Sequence, residues 1–257
     1  MPSPALSVTD LALFSGSRKL VHSLSFSVGP GERVALLGAS GSGKSLTAAA
    51  LAGSLPHGIA ASGSITFAAG SGAGQAALIR QDPATSLNPF VPIAKQLLIP
   101  LRKAGFSRAG ALAEAAPLLA RAGVEDPALL LRRYTGQLSG GQLQRVCIAL
   151  ALACGAPVLI ADEPTTALDT VTRLKVLATL RTWGAEGRSL LFITHDLTAA
   201  ASLCTRALVM ESGRIVEESS MAELLHNPQH PYSRRLVHAA TSRVLLPEAV
   251  RTTAAAA

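Results

Sequence analysis

The chain has few aromatic residues, few cysteines and no long apolar segment. Aromatic side chains make up 4% of its 257 residues, and the net charge of +7 includes no long run of lysine and arginine. Proteins that bind single-stranded nucleic acid by stacking need aromatic side chains along a basic groove, so this class is disfavoured. The positive charge remains compatible with nucleic acid, an anionic membrane face or a nucleotide-binding surface.

The sequence also lacks segments that insert into membranes or direct export. No unbroken apolar run reaches the ~20 residues that a membrane-spanning helix needs. Residues 1–6 do not combine a basic region with an apolar segment, so no signal peptide is predicted. We expect a cytosolic protein whose contact with a membrane depends on a partner or a surface.

The cysteines, Cys147, Cys154 and Cys204, are scattered along the chain. Their odd number and wide spacing match neither a disulfide framework nor a set of metal ligands. They are predicted to be buried apolar thiols.

One glycine-rich segment has a clear chemical meaning. Gly38 to Ser45 has the pattern Gly, four residues, then Gly-Lys-Ser, in which backbone N–H groups surround phosphate oxygens. Lys44 is expected to reach the outer phosphates, and the Ser45 hydroxyl to hold Mg²⁺. A predicted strand at 33–37 precedes the loop and a predicted helix at 46–55 follows it. The context therefore predicts a nucleoside triphosphate site at a helix N-terminus.

Polar side chains follow three other predicted strands. The apolar run 157–161 ends at Asp162 and Glu163, at the end of the strand where α/β sheets bind ligands. Asp162 is a natural Mg²⁺ partner through water, and Glu163 is placed to act as general base. Gln81 and His195, each directly after a predicted strand, are expected to sense the outer phosphate.

A second glycine-rich helix start has two interpretations. Ser139, Gly140, Gly141 and Gln142 precede an apolar-periodic segment that ends at Cys154. Ser139 is either an ordinary N-cap or part of an anion site. Because this segment lies 95 residues after Lys44, a second copy of the chain is one way to bring it to the nucleotide. That arrangement predicts ATP-dependent dimerisation.

The remaining sequence predicts an α/β organisation. Residues 5–28 and 63–67 are predicted strands, 68–77 a loop, and 94–133 an inserted helical lobe in which Pro117 marks a helix start or a kink. Pro83, Pro89 and Pro92 are predicted to end regular structure. Residues 207–210 and 214–217 predict a hairpin, and helices are predicted from Met221 and from Pro231. Phe14 is either a core residue or an adenine-stacking aromatic.

Taken together, the motifs resemble those of the ATP-binding subunits of ABC transporters over nearly the whole chain. Val158–Asp162 is similar to the Walker B strand, Leu138–Gln142 to the signature and Ala167–Asp169 to the D-loop. The residues that match the Walker A motif are Gly38, Ala39, Ser40, Gly41, Ser42, Gly43, Lys44, Ser45 and Leu46. Gln81 matches the Q-loop, Glu163 the catalytic glutamate and His195 the switch histidine, and Phe14 is the candidate for adenine stacking.

The resemblance implies a fold and an activity. The expected fold is a RecA-like P-loop NTPase core with a mostly parallel sheet, an N-terminal antiparallel β-subdomain and a helical subdomain at about 90–155. The domain would cover residues 1–240, with 241–257 as a disordered tail. ATP and Mg²⁺ are the expected cofactors, with Ser45, Gln81 and Asp162 at the metal, and the expected activity is ATP hydrolysis.

A narrower resemblance concerns the transported substrate. Residues 43–47, 81–89 and 227–232 are similar to the dipeptide, oligopeptide and nickel importer branch. This implies a bacterial inner-membrane importer with a related second ATPase, two permease chains and an extracytoplasmic binding protein. The chain departs from the branch in having no cysteine after Cys204, so no iron–sulfur cluster is predicted. The segment before Gln81 is short, which is slightly closer to nickel and metal–chelate members than to peptide members.

Two other classes are weighed against this resemblance. A soluble ABC-type ATPase acting on nucleic acid or ribosomes would need a long coiled coil or a second cassette, and the sequence has neither. A stand-alone P-loop kinase or GTPase would not explain the Leu138–Gln142 segment.

Overall fold

The computed structural model describes residues 3–68, 75–166, 168–185 and 187–245. The predicted loop at 68–77 and the predicted tail at 241–257 lie partly outside the described residues. Ala167 of the predicted D-loop also lies outside them.

Strands and helices follow one another as in an α/β protein. The strands are β1 (Leu6–Ser15), β2 (Arg18–Val28), β3 (Arg33–Leu37), β4 (Ile59–Phe67), β5 (Ala76–Ile79), β6 (Val158–Asp162), β7 (Ser189–Thr194), β8 (Arg206–Glu211) and β9 (Arg214–Ser220). The helices are α1 (Lys44–Leu51), α2 (Ile93–Lys103), α3 (Arg108–Arg121), α4 (Pro127–Leu131), α5 (Gly140–Ala153), α6 (Thr170–Ala185), α7 (Leu197–Leu203), α8 (Met221–His226) and α9 (Pro231–Leu245). Short 3-10 helices lie at Pro83–Ser86 and Thr135–Gln137.

The described strands form two sheets. A six-stranded sheet has the order β5-β6-β7-β3-β8-β9, in which only β8 and β9 pair antiparallel. A three-stranded antiparallel sheet has the order β2-β1-β4. The predicted fold class is confirmed, and so is the hairpin, which consists of β8 and β9.

The sequence patterns explain where the sheets are buried. Every residue of β6 and β7 is buried, as expected for continuous apolar runs in parallel strands that are covered on both faces. In β2, Leu24, Phe26 and Val28 are buried and the serines between them are exposed, which is the period-two pattern of a half-buried strand.

Helices α2 to α5 follow β5 and precede β6, within the segment predicted as the helical subdomain. One residue from each helix, Leu97, Leu119, Leu130 and Ile148, belongs to the same buried cluster as Leu159 and Ala161 of β6. Among the described helices, none is both long and apolar enough to cross a bilayer.

The first helix begins and ends earlier than its predicted limits, Leu46 and Leu55. Gly43, with φ of 106°, directly precedes it and sets its start. Gly53 has φ of 64°, a left-handed conformation that commonly ends helices. Both differences arise because glycine conformations, rather than the Ala/Leu-rich composition, fix the two ends.

Pro83 behaves differently from prediction, and Pro117 does not mark a helix start, so of its two predicted roles the kink stays a prediction. Pro117 lies inside α3, on the exposed face of the helix. Because proline has no N–H, the carbonyl of Ala113 loses its intrahelical partner. Ala113 is also an exposed residue. Pro83 begins a 3-10 helix instead of ending regular structure, because the Asp82 side chain accepts the Ala84 amide at 2.9 Å and caps it.

The cysteine prediction is right for two of the three residues. Burial raises the pKa of the Cys147 and Cys204 thiols to about 12, which makes both of them inert at neutral pH. Cys154 is exposed because it lies at the C-terminal cap of α5, so its predicted burial is wrong.

The last helix continues beyond the predicted domain limit at residue 240. Leu236, Val237 and Ala240 pack against the main core, and α9 ends at Leu245. Residues 241–245 are therefore helical and do not belong to a disordered tail.

One arginine joins the two sheets at the ends of three strands. Arg206 Nε donates to Glu32 Oε1 at 2.7 Å, and its Nη2 donates to the Ser27 carbonyl at 2.5 Å. The third nitrogen of the Arg206 guanidinium group, Nη1, pairs with the Glu218 carboxylate. Burial by itself raises the pKa of Glu32, but hydrogen bonds from Arg206 and from the Gly29 amide hold this pKa below its ordinary value of 4.5.

We expect Arg206→Gln to lower the free energy of unfolding by about 2 kcal/mol at pH 7, because a hydrogen-bonded charge loses its partner. A carboxylate with a lowered folded-state pKa stabilises the protein above its ordinary pKa, and this contribution is lost as the pH falls through the folded-state value. The difference between the variant and the wild type should therefore shrink below pH 4.5. Denaturant titration at several pH values measures it, with Arg214→Gln at an exposed strand end as control. An equal loss at every pH would contradict the Glu32 assignment.

Candidate active site

The loop between β3 and α1 takes its shape from glycines. A Cβ at Gly38 would lie 2.3 Å from the carbonyl oxygen of Met210 on β8, so the loop can lie this close to β8 only with glycine there. Gly41 and Gly43 have φ of 79° and 106°, in the left-handed region that other residues avoid. The loop therefore turns sharply into the N-terminus of α1, as the sequence predicts.

The side chain of Lys44 is buried within this loop. Its Nζ donates to the carbonyls of Gly38 and Ala39, both at 2.8 Å. Burial lowers the pKa of Lys44, while the neighbouring Glu163 and Asp162 oppose this change. An ammonium group has three donors, so two of them hold the loop and one is left for a ligand oxygen.

Asp162, at the end of β6, is buried beside the loop. Burial raises the pKa of its carboxyl group, and a hydrogen bond from Ser45 acts in the opposite direction. Its Oδ1 is buried and has no hydrogen-bond partner among the described residues. A carboxylate oxygen without a partner beside a hydroxyl is the kind of oxygen-donor set that suits Mg²⁺, so these residues fit the predicted metal.

Glu163 is held firmly by its neighbours. Its φ of 48° is in the left-handed region, and its amide donates to the Ile193 carbonyl on β7 at 2.9 Å. Oε1 lies 2.8 Å from His195 Nδ1 and accepts the His195 amide at 3.0 Å. Oε2 accepts the hydroxyls of Thr166 at 2.8 Å and Thr194 at 3.3 Å. The carboxylate is therefore fixed in one orientation.

These elements surround one cavity. Its lining residues are Ser40, Gly41, Gly43, Lys44, Ser45, Leu46, Gln81, Glu163 and His195. The loop comes from β3, and the polar residues follow β5, β6 and β7. The structure thus brings together the predicted phosphate loop, the predicted general base Glu163 and the two predicted phosphate sensors, Gln81 and His195.

Of the predicted site residues, Gly38, Ala39, Ser42 and Asp162 are close in sequence to lining residues but do not line the cavity themselves, and Phe14 and the segment from Ser139 to Gln142 lie elsewhere. Phe14 is half-buried near the end of β1, with Lys19 Nζ 5.6 Å from its ring centroid. Ser139 lies at the N-terminus of α5, where its hydroxyl accepts the Gln142 amide at 3.3 Å and the Gln142 side chain accepts the Ser139 amide at 3.0 Å. The capping interpretation of Ser139 is therefore observed, and its role toward a nucleotide stays a prediction, as does that of Phe14.

Sequence reasoning missed the residues that support the site. Thr166 and Thr194 hold Glu163, and the phenolic oxygen of Tyr232 accepts the Ala39 amide at 2.6 Å. Thr194 is the last residue of a predicted strand beside His195, which is a weak signal. Tyr232 is far from the loop in sequence, and no local pattern indicates this contact.

Comparison with known proteins adds a family to this geometry. The family model described as ABC transporter matches residues 21–166. A Brucella melitensis protein named for peptide import is 39% identical over 84% of this chain and 70% of its own length. The oligopeptide transport ATP-binding protein OppD of Salmonella typhimurium is 37% identical over 93% of this chain and 77% of its own length. A solved structure of the ATP-binding subunit of an ABC transporter has a TM-score of 0.76 and 25% identity, covering 92% of this chain and 99% of its own. A family model that matches more than half of the chain, together with relatives of this identity, shows that the chain belongs to the ABC transporter family, in which it is an ATP-hydrolysing subunit.

Proposed function

We propose that this chain hydrolyses Mg-ATP to drive the import of peptides through a membrane permease. The main support is the cavity in which a phosphate loop and a rigidly held Glu163 meet, with the buried, unpartnered oxygen of Asp162 directly before Glu163 in the chain. Support for peptides comes from the relatives named for peptide and oligopeptide transport and from the resemblance of residues 81–89 and 227–232 to that branch. The short segment before Gln81, which is slightly closer to nickel and metal–chelate members, lies partly outside the described residues.

The loop and Lys44 bind the phosphates. The first residues of α1, Lys44, Ser45 and Leu46, line the cavity, and the free N–H groups and dipole of a helix N-terminus favour an anion there. Lys44 remains bonded to the carbonyls of Gly38 and Ala39, so its remaining N–H is directed by the loop itself. This arrangement places a positive charge near the outer phosphates without freeing a flexible side chain.

Ser45, Asp162 and Gln81 are the residues that would hold Mg²⁺. The metal, when bound, neutralises charge on the phosphates. A bound cation also lowers the energetic cost of ionising the buried Asp162, whose pKa burial raises.

Glu163 acts as the general base toward the attacking water. An ionised carboxylate only accepts hydrogen bonds, so the proton between it and His195 is assigned to Nδ1 of the imidazole. In the neutral ring this leaves Nε2 as an acceptor. His195 therefore holds Glu163 with one nitrogen and keeps the other for sensing the outer phosphate and its water.

The second subunit completes the site through its own α5 N-terminus. The capping box uses the amides of Ser139 and Gln142, and within the described chain no hydrogen bond involves the amides of Gly140 and Gly141. These two N–H groups, at the positive end of a helix, suit an anion. We propose that they close over the nucleotide of a related, non-identical ATPase, and that Phe14 stacks on the adenine.

The remaining partners follow from the importer assignment. The ATPase pair is proposed to bind two permease chains on the cytoplasmic face of a bacterial inner membrane. An extracytoplasmic binding protein delivers the peptide to the permease. The permease contact is proposed to lie near Gln81 and the helical subdomain, so that closure of the ATPases changes the access of the substrate.

Glu163→Gln tests the general base. The variant keeps the shape of the side chain but cannot accept a proton, so we expect ATP turnover by the assembled transporter to fall by at least about 100-fold. ATP binding should be retained, and closed dimers should accumulate on gel filtration with Mg-ATP. Glu125→Gln makes the same change at a side chain that is 82% exposed and should leave turnover unchanged. Rapid hydrolysis by Glu163→Gln would exclude Glu163 as the base.

Ser139 substitutions separate helix capping from nucleotide contact. Asp and Asn both cap helices well, but only Asp places a negative charge beside the phosphates of the partner. We expect Ser139→Asp to reduce turnover in the complex by about 100-fold and to leave ATP binding by the single chain unchanged. Ser139→Asn, of the same shape, should lose far less activity. Equal activities of the two variants would show that Ser139 only caps α5.

Uptake measurements test the cargo. Cells that lack this chain should lose uptake of radiolabelled short peptides and keep uptake of radioactive nickel. Uptake should return with the wild-type chain and with Glu125→Gln, but not with Glu163→Gln, because import requires hydrolysis. Loss of nickel uptake with intact peptide uptake would overturn the peptide assignment and leave the ATPase assignment unaffected.

A further inference from the structure

The segment between α8 and α9 has no place in the mechanism above. Residues 227–232, Asn-Pro-Gln-His-Pro-Tyr, are one of the motifs that point to the importer branch, but none of them lines the nucleotide cavity. The structure nevertheless brings the last of them, Tyr232, to the phosphate loop.

The contact between Tyr232 and the loop is a short hydrogen bond. The phenolic oxygen accepts the backbone amide of Ala39 at 2.6 Å, across 193 residues of sequence. The carbonyl of Ala39 accepts the amide of Ser42 at 3.2 Å and Lys44 Nζ at 2.8 Å. Both polar backbone groups of Ala39 are therefore bonded, one within the loop and one to the C-terminal helix.

The orientation of Tyr232 is set by a buried carboxylate on β9. Glu217 accepts the amides of Gln229 at 3.0 Å and His230 at 2.7 Å. Burial raises the pKa of Glu217, but the neighbouring Ser233 hydroxyl and these two amides hold it below its ordinary value. The turn that leads into α9 is thus tied to β9 of the central sheet directly before Tyr232.

The ring of Tyr232 is held as well. It is partly buried against the main core, and the Arg235 guanidinium lies 5.6 Å from its centroid. Arg235 itself pairs with Glu211 of β8 at 3.1 Å. The hydroxyl therefore meets Ala39 from a fixed direction, which costs little conformational entropy when the loop is ordered.

We infer that Tyr232 is a positioning residue that holds the phosphate loop in its nucleotide-binding shape, and that the 227–233 turn thereby sets the affinity for ATP. This inference rests on the proposed function, since it concerns the same cavity. Tyr232 does not touch the reacting atoms, so it acts on the binding of the nucleotide and leaves the hydrolytic step to Glu163.

Tyr232→Phe tests the inference, because it removes the hydroxyl and keeps the ring. We expect the Kd of the full chain for Mg-ATP and Mg-ADP, measured by calorimetry, to rise about three- to tenfold, as for one neutral hydrogen bond. In the assembled transporter KM should rise by a similar factor with kcat nearly unchanged. Hydrogen exchange of a peptide containing Ala39 should become faster, and that of peptides from α9 should stay the same.

A second variant and a control complete the test. Glu217→Gln loosens the turn, and in combination with Tyr232→Phe it should weaken binding no further than the more severe single variant, because both act through one contact. Tyr134→Phe removes the hydroxyl of the other tyrosine and should leave Kd unchanged. Wild-type Kd and exchange in Tyr232→Phe, or full additivity with Glu217→Gln, would overturn the inference. A wild-type chain that does not bind Mg-ATP would instead contradict the proposed function.

Discussion

The site depends on a single constraint, that four neighbouring parallel strands end at one edge of the sheet. In the order β5-β6-β7-β3, each strand is followed within two residues by a residue of the cavity or by the phosphate loop. Register pairs Asp162 with Ile193 and Leu37 with Thr194, so the carboxylates, the histidine and the phosphate loop start at the same level. Chemistry that is scattered over more than a hundred residues of sequence is thus brought together by backbone pairing alone.

The backbone conformation of Glu163, with φ of 48°, is held in place by its surroundings at this edge of the sheet. A residue other than glycine with positive φ costs roughly 1–3 kcal/mol and persists only where its surroundings enforce it. Here the enforcement comes from the Ile193 carbonyl, which accepts the Glu163 amide, and from the hydroxyls and imidazole around the carboxylate. Glu163 lines the cavity in this conformation, while the preceding Asp162 is buried and does not line it.

The sequence predicts those parts of the protein whose determinants are local. The phosphate loop, the buried strands and the residues that follow them depend on glycine conformations, apolar runs and parallel pairing, and all of these can be recognised within short windows. The limits of α1 and the position of Pro117 in α3 were less predictable, because a helix end depends on single glycines and a proline is tolerated on an exposed face. The exposure of Cys154 likewise depends on where α5 ends.

Residues that act across the fold are not predictable in this way. Thr194 is an ordinary polar residue until the pairing of β6 with β7 brings it to Glu163, and Thr166 reaches Glu163 through the shape of the turn after β6. Tyr232 reaches Ala39 only because Glu217 on β9 fixes the turn before α9, and no pattern near either residue reports the other. Ser139 differs from these residues, because its capping role is predictable from the local sequence and is observed in the structure. Its role toward a nucleotide depends on a second subunit and stays a prediction.

The phosphate loop is therefore held from three directions. Lys44 bonds to its inner carbonyls, the Gly213 amide of the hairpin donates to the Ser42 carbonyl at 2.9 Å, and Tyr232 accepts from Ala39. Contacts that order the loop before the nucleotide binds raise the affinity of the loop for the nucleotide. By reciprocity, nucleotide binding must stabilise those same contacts by an equal free energy. The hairpin and the C-terminal helix are thereby linked to the occupancy of the site, although neither of them lines the cavity.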